Sequence, residues 1–230
     1  MTKTLAPRRF LRDNGLGLFF GAIFLLALAG QALAGWKTFN DEQLADSLGR
    51  LSLSDYLTSA TFAADVAENW QSEYLQFLLY IVATVWLLQR GSPESKELDK
   101  AGLESDEEQK VGDHATSDSP RWARVAGIRT TVFSWSLSLV MGLIFGVSWL
   151  AQSIAGRAAF NETRLQRLQD PISWTAYLGN ADFWSRTLQN WQSEFLAVGS
   201  MAVLSIYLRQ RGSPESKPVG EAHTSTGIEG

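Results

Sequence analysis

The feature that most constrains this chain is a stretch it carries twice. Residues 69–96 read NWQSEYLQFLLYIVATVWLLQRGSPESK, and residues 190–217 read NWQSEFLAVGSMAVLSIYLRQRGSPESK, 121 residues further on with no gap. The polar ends of the two copies are identical, while the apolar middles have drifted. A membrane-embedded middle needs only hydrophobicity and length and so tolerates exchange, whereas polar ends must meet specific partners. The same offset holds far beyond this stretch. Arg8 falls on Arg129, Gly21 on Gly142, Gln31 on Gln152, Ala34-Gly35 on Ala155-Gly156, Phe39-Asn40 on Phe160-Asn161, Tyr56-Leu57 on Tyr177-Leu178 and Phe62 on Phe183. About a third of roughly ninety aligned positions are identical, which predicts an internal duplication.

Hydropathy then divides each copy. Leu16–Gly35 and Val132–Ala151 are uncharged runs of twenty residues. At about 1.5 Å per residue, each spans a hydrocarbon core of roughly 30 Å. Ala32-Leu33-Ala34 resembles a signal-peptide cleavage site. The first run is longer than most signal cores, however, and its counterpart is internal, so it reads as a span. The apolar cores of the even runs, Tyr74–Leu88 and Phe195–Leu208, are shorter. Extended to 69–90 and 190–211, each gives a helix of about 33 Å that begins in the interface. The expected fold is therefore an all-α membrane protein of four transmembrane helices. They form two parallel two-helix repeats, since two spans per repeat start the second repeat on the same side as the first.

Segment by segment, residues 1–96 form the first repeat, with spans near 16–35 and 69–90. Residues 126–217 form the second, with spans near 132–151 and 190–211. Between them, 97–125 is an acidic linker centred on Glu104-Ser105-Asp106-Glu107-Glu108. Linker and tail (218–230) are too polar to offset their ordering entropy and read as disordered. The N-terminal arm, linker and tail hold fourteen of the twenty Lys and Arg; the segments 36–73 and 157–194 hold six. The positive-inside rule thus puts both termini and the linker in the cytoplasm. Asn40 and Asn161, ahead of Asp41-Glu42 and Glu162-Thr163, occupy N-cap positions and predict a short helix in each extracytoplasmic segment.

Two motifs carry candidate sites. Asn-Trp-Gln-Ser-Glu places Asn69 and Glu73 on one helix face, as it does Asn190 and Glu194. A carboxylate one turn inside an apolar run is costly unless paired, hydrated or protonated. The polar site is Asn69, Trp70, Gln71, Glu73, Asn190, Trp191, Gln192 and Glu194. Its glutamates either accept hydrogen bonds from the extracytoplasmic segments or mark an ion or proton path. The inward continuation Gln76, Tyr80, Thr84 becomes Ala197, Met201, Ser205, which favours the first reading. Gln-Arg-Gly-Ser-Pro-Glu-Ser-Lys, at 89–96 and 210–217, follows each even span. Gly91 and Gly212 serve as C-caps, Pro93 and Pro214 block continuation, and Arg90, Lys96, Arg211 and Lys217 anchor in the interface. The alternative is a docking epitope or a seat for anionic lipid headgroups. Gly17-x-x-x-Gly21 and Gly142-x-x-x-Gly146 suggest that the odd helices pack closely.

No Cys is present, and His114 and His223 lie in polar segments. Disulfides, thiolate chemistry and a histidine metal centre are therefore not expected. The net charge of -4 carries no nucleic-acid signature, and neither an enzyme motif nor a cofactor motif is found.

Together, Phe10-Leu11-Arg12-Asp13-Asn14-Gly15-Leu16, Gly30-Gln31-x-Leu33-Ala34-Gly35, both Asn-Trp-Gln-Ser-Glu segments and both Gln-Arg-Gly-Ser-Pro-Glu-Ser-Lys segments resemble a bacterial family of internally duplicated four-span membrane proteins of uncharacterised function. The resemblance implies a multi-pass place in the inner membrane and supplies no activity. The expected role is a structural or interaction module whose partners are the lipid bilayer and a membrane protein or second copy. The alternative is a small transporter or channel using Glu73 and Glu194.

Overall fold

The computed structural model describes residues 7–125 and 127–228. The described chain is all-helical, with eight α-helices, one 310 turn and no strand. The helices are α1 (Pro7–Asp13), α2 (Gly15–Ala45), α3 (Leu53–Leu57), α4 (Ala60–Ala83), α5 (Ile128–Ser134), α6 (Ser136–Gln166), α7 (Trp174–Leu178) and α8 (Ala181–Tyr207). They fall into two compact units, Met1–Ala63 and Ala64–Gly230.

Two helices, α2 and α6, are long and apolar enough to cross a membrane. None of α2's most apolar window is buried by protein, and only 17 % of α6's is. Each has 31 residues, about 46 Å at the α-helical rise, and runs well past the apolar stretch seen in the sequence. Residues 36–45 and 157–166 contain no Gly or Pro that would stop them. Each helix is preceded by a short one, and the break falls at Asn14 and Trp135, whose dihedrals leave the helical region.

The two long helices end alike. Ser47 N–H bonds to Leu44 O and Leu48 N–H to Gln43 O; Leu168 N–H bonds to Leu165 O and Gln169 N–H to Arg164 O. These are paired Schellman-type closures, with Ser47 (φ 61°) and Leu168 (φ 56°) in the left-handed region. The chain then extends back, and Ser52 and Ser173 cap α3 and α7 by accepting from Asp55 N–H and Ala176 N–H.

Asn40 and Asn161 are not helix caps. Both lie inside the long helices, because α2 and α6 continue past them. Asn40 instead clasps the returning strand of chain, its Nδ2 donating to Leu51 O at 3.0 Å and its Oδ1 accepting from Leu51 N–H at 2.7 Å. Asn161 does the same to Ile172, at 3.0 and 2.9 Å. The side-chain amide satisfies a donor and an acceptor of backbone that has no helix or sheet partner. Behind each clasp a tyrosine closes the corner. Tyr56 packs between Phe39 and Phe62, and Tyr177 between Phe160 and Phe183. A Cβ on Gly156 would lie 2.7 Å from the Tyr177 hydroxyl, and one on Gly35 would collide with that of Tyr56.

Helices α4 and α8 end earlier than the sequence suggests, at Ala83 and Tyr207 rather than at Arg90 and Arg211. In α4, the Thr84 hydroxyl bonds back to Tyr80 O at 2.8 Å, a local competition that loosens the last turn. In α8, the Arg209 guanidinium collects the carbonyls of Ser205, Ile206 and Leu208 and so satisfies acceptors that a further turn would have used. Contacts fix the directions within the second unit. Asp65 meets Arg186 and Gln71 meets Trp191, so partners climb both helices together and α4 runs parallel to α8. Trp149 meets Trp191 while Gln152 meets Thr187, so α6 runs antiparallel to α8. A Cβ on Gly142 would touch Leu78 of α4 at 3.6 Å, whereas one on Gly17, Gly21 or Gly146 would meet nothing within 4 Å. Within this unit Gly142 thus faces α4.

Residues 97–125 are laid down as turns with one 310 turn, Gly112–His114. They bury only Ala123. Together with the ends of α4, α5 and α6 they line a cavity of about 610 Å³.

Candidate functional site

Three groups of polar side chains organise the second unit, and the sequence-predicted residues divide among them.

The first is a charged seam between α4 and α8. Arg186 Nη2 lies 2.6 Å from Asp65 Oδ1, and its Nε lies 2.6 Å from Glu68 Oε2. The pair is half-buried, with Glu68 the most enclosed. Burial pushes the Glu68 carboxyl above the usual carboxylate range, although the adjoining guanidinium opposes this. Burial also works against the Arg186 charge, but the two carboxylates outweigh it and hold the guanidinium above its ordinary value. Asp65 and Arg186 are 121 residues apart and occupy equivalent positions of the two copies. A single repeat facing itself would set like charges together there; this chain sets opposite ones.

The second group holds the predicted polar site, one to two turns further along. Gln71 is fully buried, and its Oε1 accepts from Trp191 Nε1 at 2.9 Å. Gln152 of α6, also buried, donates from Nε2 to Thr187 Oγ1 at 3.3 Å. Asn69 and Asn190 turn back on their own helices and donate to Asp65 O and Arg186 O. Trp70 and Gln192 are exposed. Among the described residues Glu73 and Glu194 have no hydrogen bond or ion pair, so neither accepts from the segments that precede α4 and α8. The structure gives that tying role to Asp65 and Glu68. Glu73 is exposed and Glu194 half-exposed. Neither lines the 610 Å³ cavity.

The third group is the Gln-Arg-Gly-Ser-Pro-Glu-Ser-Lys pair, which folds into the same closed turn twice. Ser95 Oγ accepts from Gln89 N–H at 2.9 Å and donates to Lys96 O; Ser216 Oγ accepts from Gln210 N–H at 2.9 Å and donates to Lys217 O. Ser92 N–H and Ser213 N–H close the inner turns on Gln89 O and Gln210 O. Gly91 (φ 85°) and Gly212 (φ 80°) take left-handed dihedrals that only glycine adopts without strain. Arg90 and Arg211 are exposed. The lysines are not free for headgroups. Lys96 pairs with Glu104 at 2.6 Å and donates to Gly102 O. Lys217, 1 % exposed, donates to the carbonyls of Gly91, Ala222, His223 and Ser225. The tail also returns over the first turn, with Thr226 Oγ1 accepting from Gly91 N–H and Gly227 N–H donating to Ser92 O.

Sequence reasoning missed Asp65, Glu68, Arg186, Gln152, Thr187 and Arg209. One signal was available: at position 65 the two copies carry opposite charges. Among the described residues no group of His, Cys, Asp and Glu could hold a metal ion.

No curated protein and no solved structure matches this chain. A family model described as a domain of unknown function, DUF6766, matches residues 7–228. With nearly its whole length matched, the chain belongs to the DUF6766 family.

Proposed function

We propose that this chain is a bacterial inner-membrane protein of four spans, built from two parallel two-helix repeats, and that it acts as a structural or interaction module. The observation that carries the functional half is the α4–α8 seam. Arg186 is held by Asp65 and Glu68, and the Trp191 indole N–H by the Gln71 side-chain oxygen. Groups so engaged hold the two helices in register, and the charges of the seam are matched within it. The repeat reading draws on features that recur at one offset: the breaks at Asn14 and Trp135, the clasps at Asn40 and Asn161, and the left-handed closures at Ser47 and Leu168. Parallel α4 and α8 are what two repeats related by an axis along the membrane normal require. In this reading α4 and α8 are the second and fourth spans, the termini and residues 97–125 are cytoplasmic, and the partners are lipid and either another membrane protein or a second copy.

One observation favours the transporter reading instead. Glu73 and Glu194 are repeat-equivalent carboxylates with no hydrogen bond or ion pair among the described residues, and acids inside spans often mark ion paths. Two measurements on reconstituted protein separate the readings. For a module, Arg186→Ala lowers thermal stability, while Glu73→Gln and Glu194→Gln alter no proton or cation flux. Unchanged stability of the glutamine variants together with loss of an ion-dependent flux would establish transport.

A further inference from the structure

The interior of the α4–α6–α8 junction is polar where a helix bundle is usually apolar. Gln71, Ser72, Ser148, Gln152, Ser153 and Thr187 are all buried. Most of their polar atoms are matched, but not all. Gln71 Nε2, Trp149 Nε1 and Gln152 Oε1 are buried, and each is without a hydrogen-bond partner.

Their neighbours bring these three together. Gln71 Oε1 is held by Trp191 Nε1, which sets its amide at the pyrrole edge of that ring. The Trp191 ring tilts against that of Trp149, centroids 6.3 Å apart. Gln152 lies one turn from Trp149 on α6 and bonds to Thr187, one turn from Trp191 on α8. These contacts link α4 through α8 to α6, and two donors and one acceptor along them are left unmatched. A buried amide or indole N–H without a partner is destabilising, and the two glutamines are exposed by no more than 2 %. Buried waters in proteins typically make about three hydrogen bonds to such groups.

We infer that Gln71, Trp149 and Gln152 form a buried water site that joins the three helices. The bound water accepts from Gln71 Nε2 and Trp149 Nε1 and donates to Gln152 Oε1, which matches its hydrogen-bonding capacity and leaves one proton for a neighbour. The site needs only the packing of α4, α6 and α8, so it stands whether the protein is a module or a transporter.

The indole N–H of Trp149 reports on the site directly. The chain has nine tryptophans. With 15N-labelled tryptophan in the full-length protein in micelles, their indole signals can be assigned, that of Trp149 by its loss in Trp149→Phe. A rotating-frame cross-relaxation experiment tuned to water distinguishes dipolar contact from chemical exchange by sign. The expected result is a dipolar cross-peak between the Trp149 indole proton and water, abolished when Gln71→Leu and Gln152→Leu are combined. Absence of that cross-peak in the unaltered chain would overturn the site, whether or not the double variant folds. Persistence of the peak in a folded double variant would also overturn it, since the water would then not be held by these glutamines.

Discussion

At the scale of single residues, several identities shared by the two copies have a steric or hydrogen-bonding cause. Gly156 is glycine because the Tyr177 hydroxyl occupies the space a Cβ would need. Tyr177 cannot yield, since it is 1 % exposed and its hydroxyl is tied to Asp182 at 3.0 Å. Burial, with the Asp182 carboxylate beside it, also keeps that hydroxyl protonated by raising its pKa. Gly156→Ala should therefore destabilise by about 1–3 kcal/mol, the usual cost of overpacking, read as a lower melting temperature in detergent. Leu168 presents the opposite case. It is left-handed at φ 56° and 97 % exposed, so its side chain packs against nothing that would compensate the strain. Leu168→Gly should stabilise by about 0.5–1 kcal/mol, because the left-handed penalty of an L-residue is removed at a helix-ending position that favours glycine. A lower melting temperature would mean that the strained leucine makes contacts this account lacks.

At the scale of helices, what the sequence makes legible is hydropathy and repetition. The cores of α2 and α6 can be read from twenty uncharged residues, whereas the short helices α3 and α7 start after Ser52 and Ser173, twelve residues past the Asn40 and Asn161 caps that the sequence suggests. The errors come from applying a local rule where a tertiary contact decides. Asn40 before two acids looks like an N-cap, yet the helix is already under way, and its amide serves Leu51 eleven residues on. Glu73 and Glu194 looked like the tying acids because they recur, but Asp65, which does not recur, does the tying. Its partner is set by the pairing of α4 with α8, which no window of either helix contains. Exchanging the charges tests that pairing. Asp65→Arg or Arg186→Asp alone should lower stability by about 1–3 kcal/mol, between the values for exposed and buried pairs, since all three groups are partly solvated. The double exchange should recover much of the loss, although Glu68 would then face an acid at 186. If the double variant is no more stable than the sum of the singles predicts, the seam does not couple these residues. The direction of the helices has its own test. The chain lacks cysteine, so a short bismaleimide should join Asp65→Cys to Arg186→Cys and fail to join Asp65→Cys to Glu194→Cys, whereas antiparallel helices would reverse the outcome.

At the scale of the whole molecule, the central claim is that two repeats lie in the membrane in the same sense, with the acidic linker joining them on one side. Residues 97–125 bury a single residue, so deletion of about 103–117 should leave insertion intact, and protease should cut there first in permeabilised cells. Protection of that segment in the purified protein would mean that it is covered. Orientation is tested most directly by single cysteines placed in this cysteine-free chain at Gly49, Ser105, Asp170 and Thr224, each labelled in intact and in permeabilised cells with a membrane-impermeant maleimide. The account predicts labelling of Gly49→Cys and Asp170→Cys from outside, and of Ser105→Cys and Thr224→Cys only after permeabilisation. Exchange of all four sides would reverse the orientation but keep the repeats parallel; Gly49→Cys and Asp170→Cys on opposite sides would contradict the account.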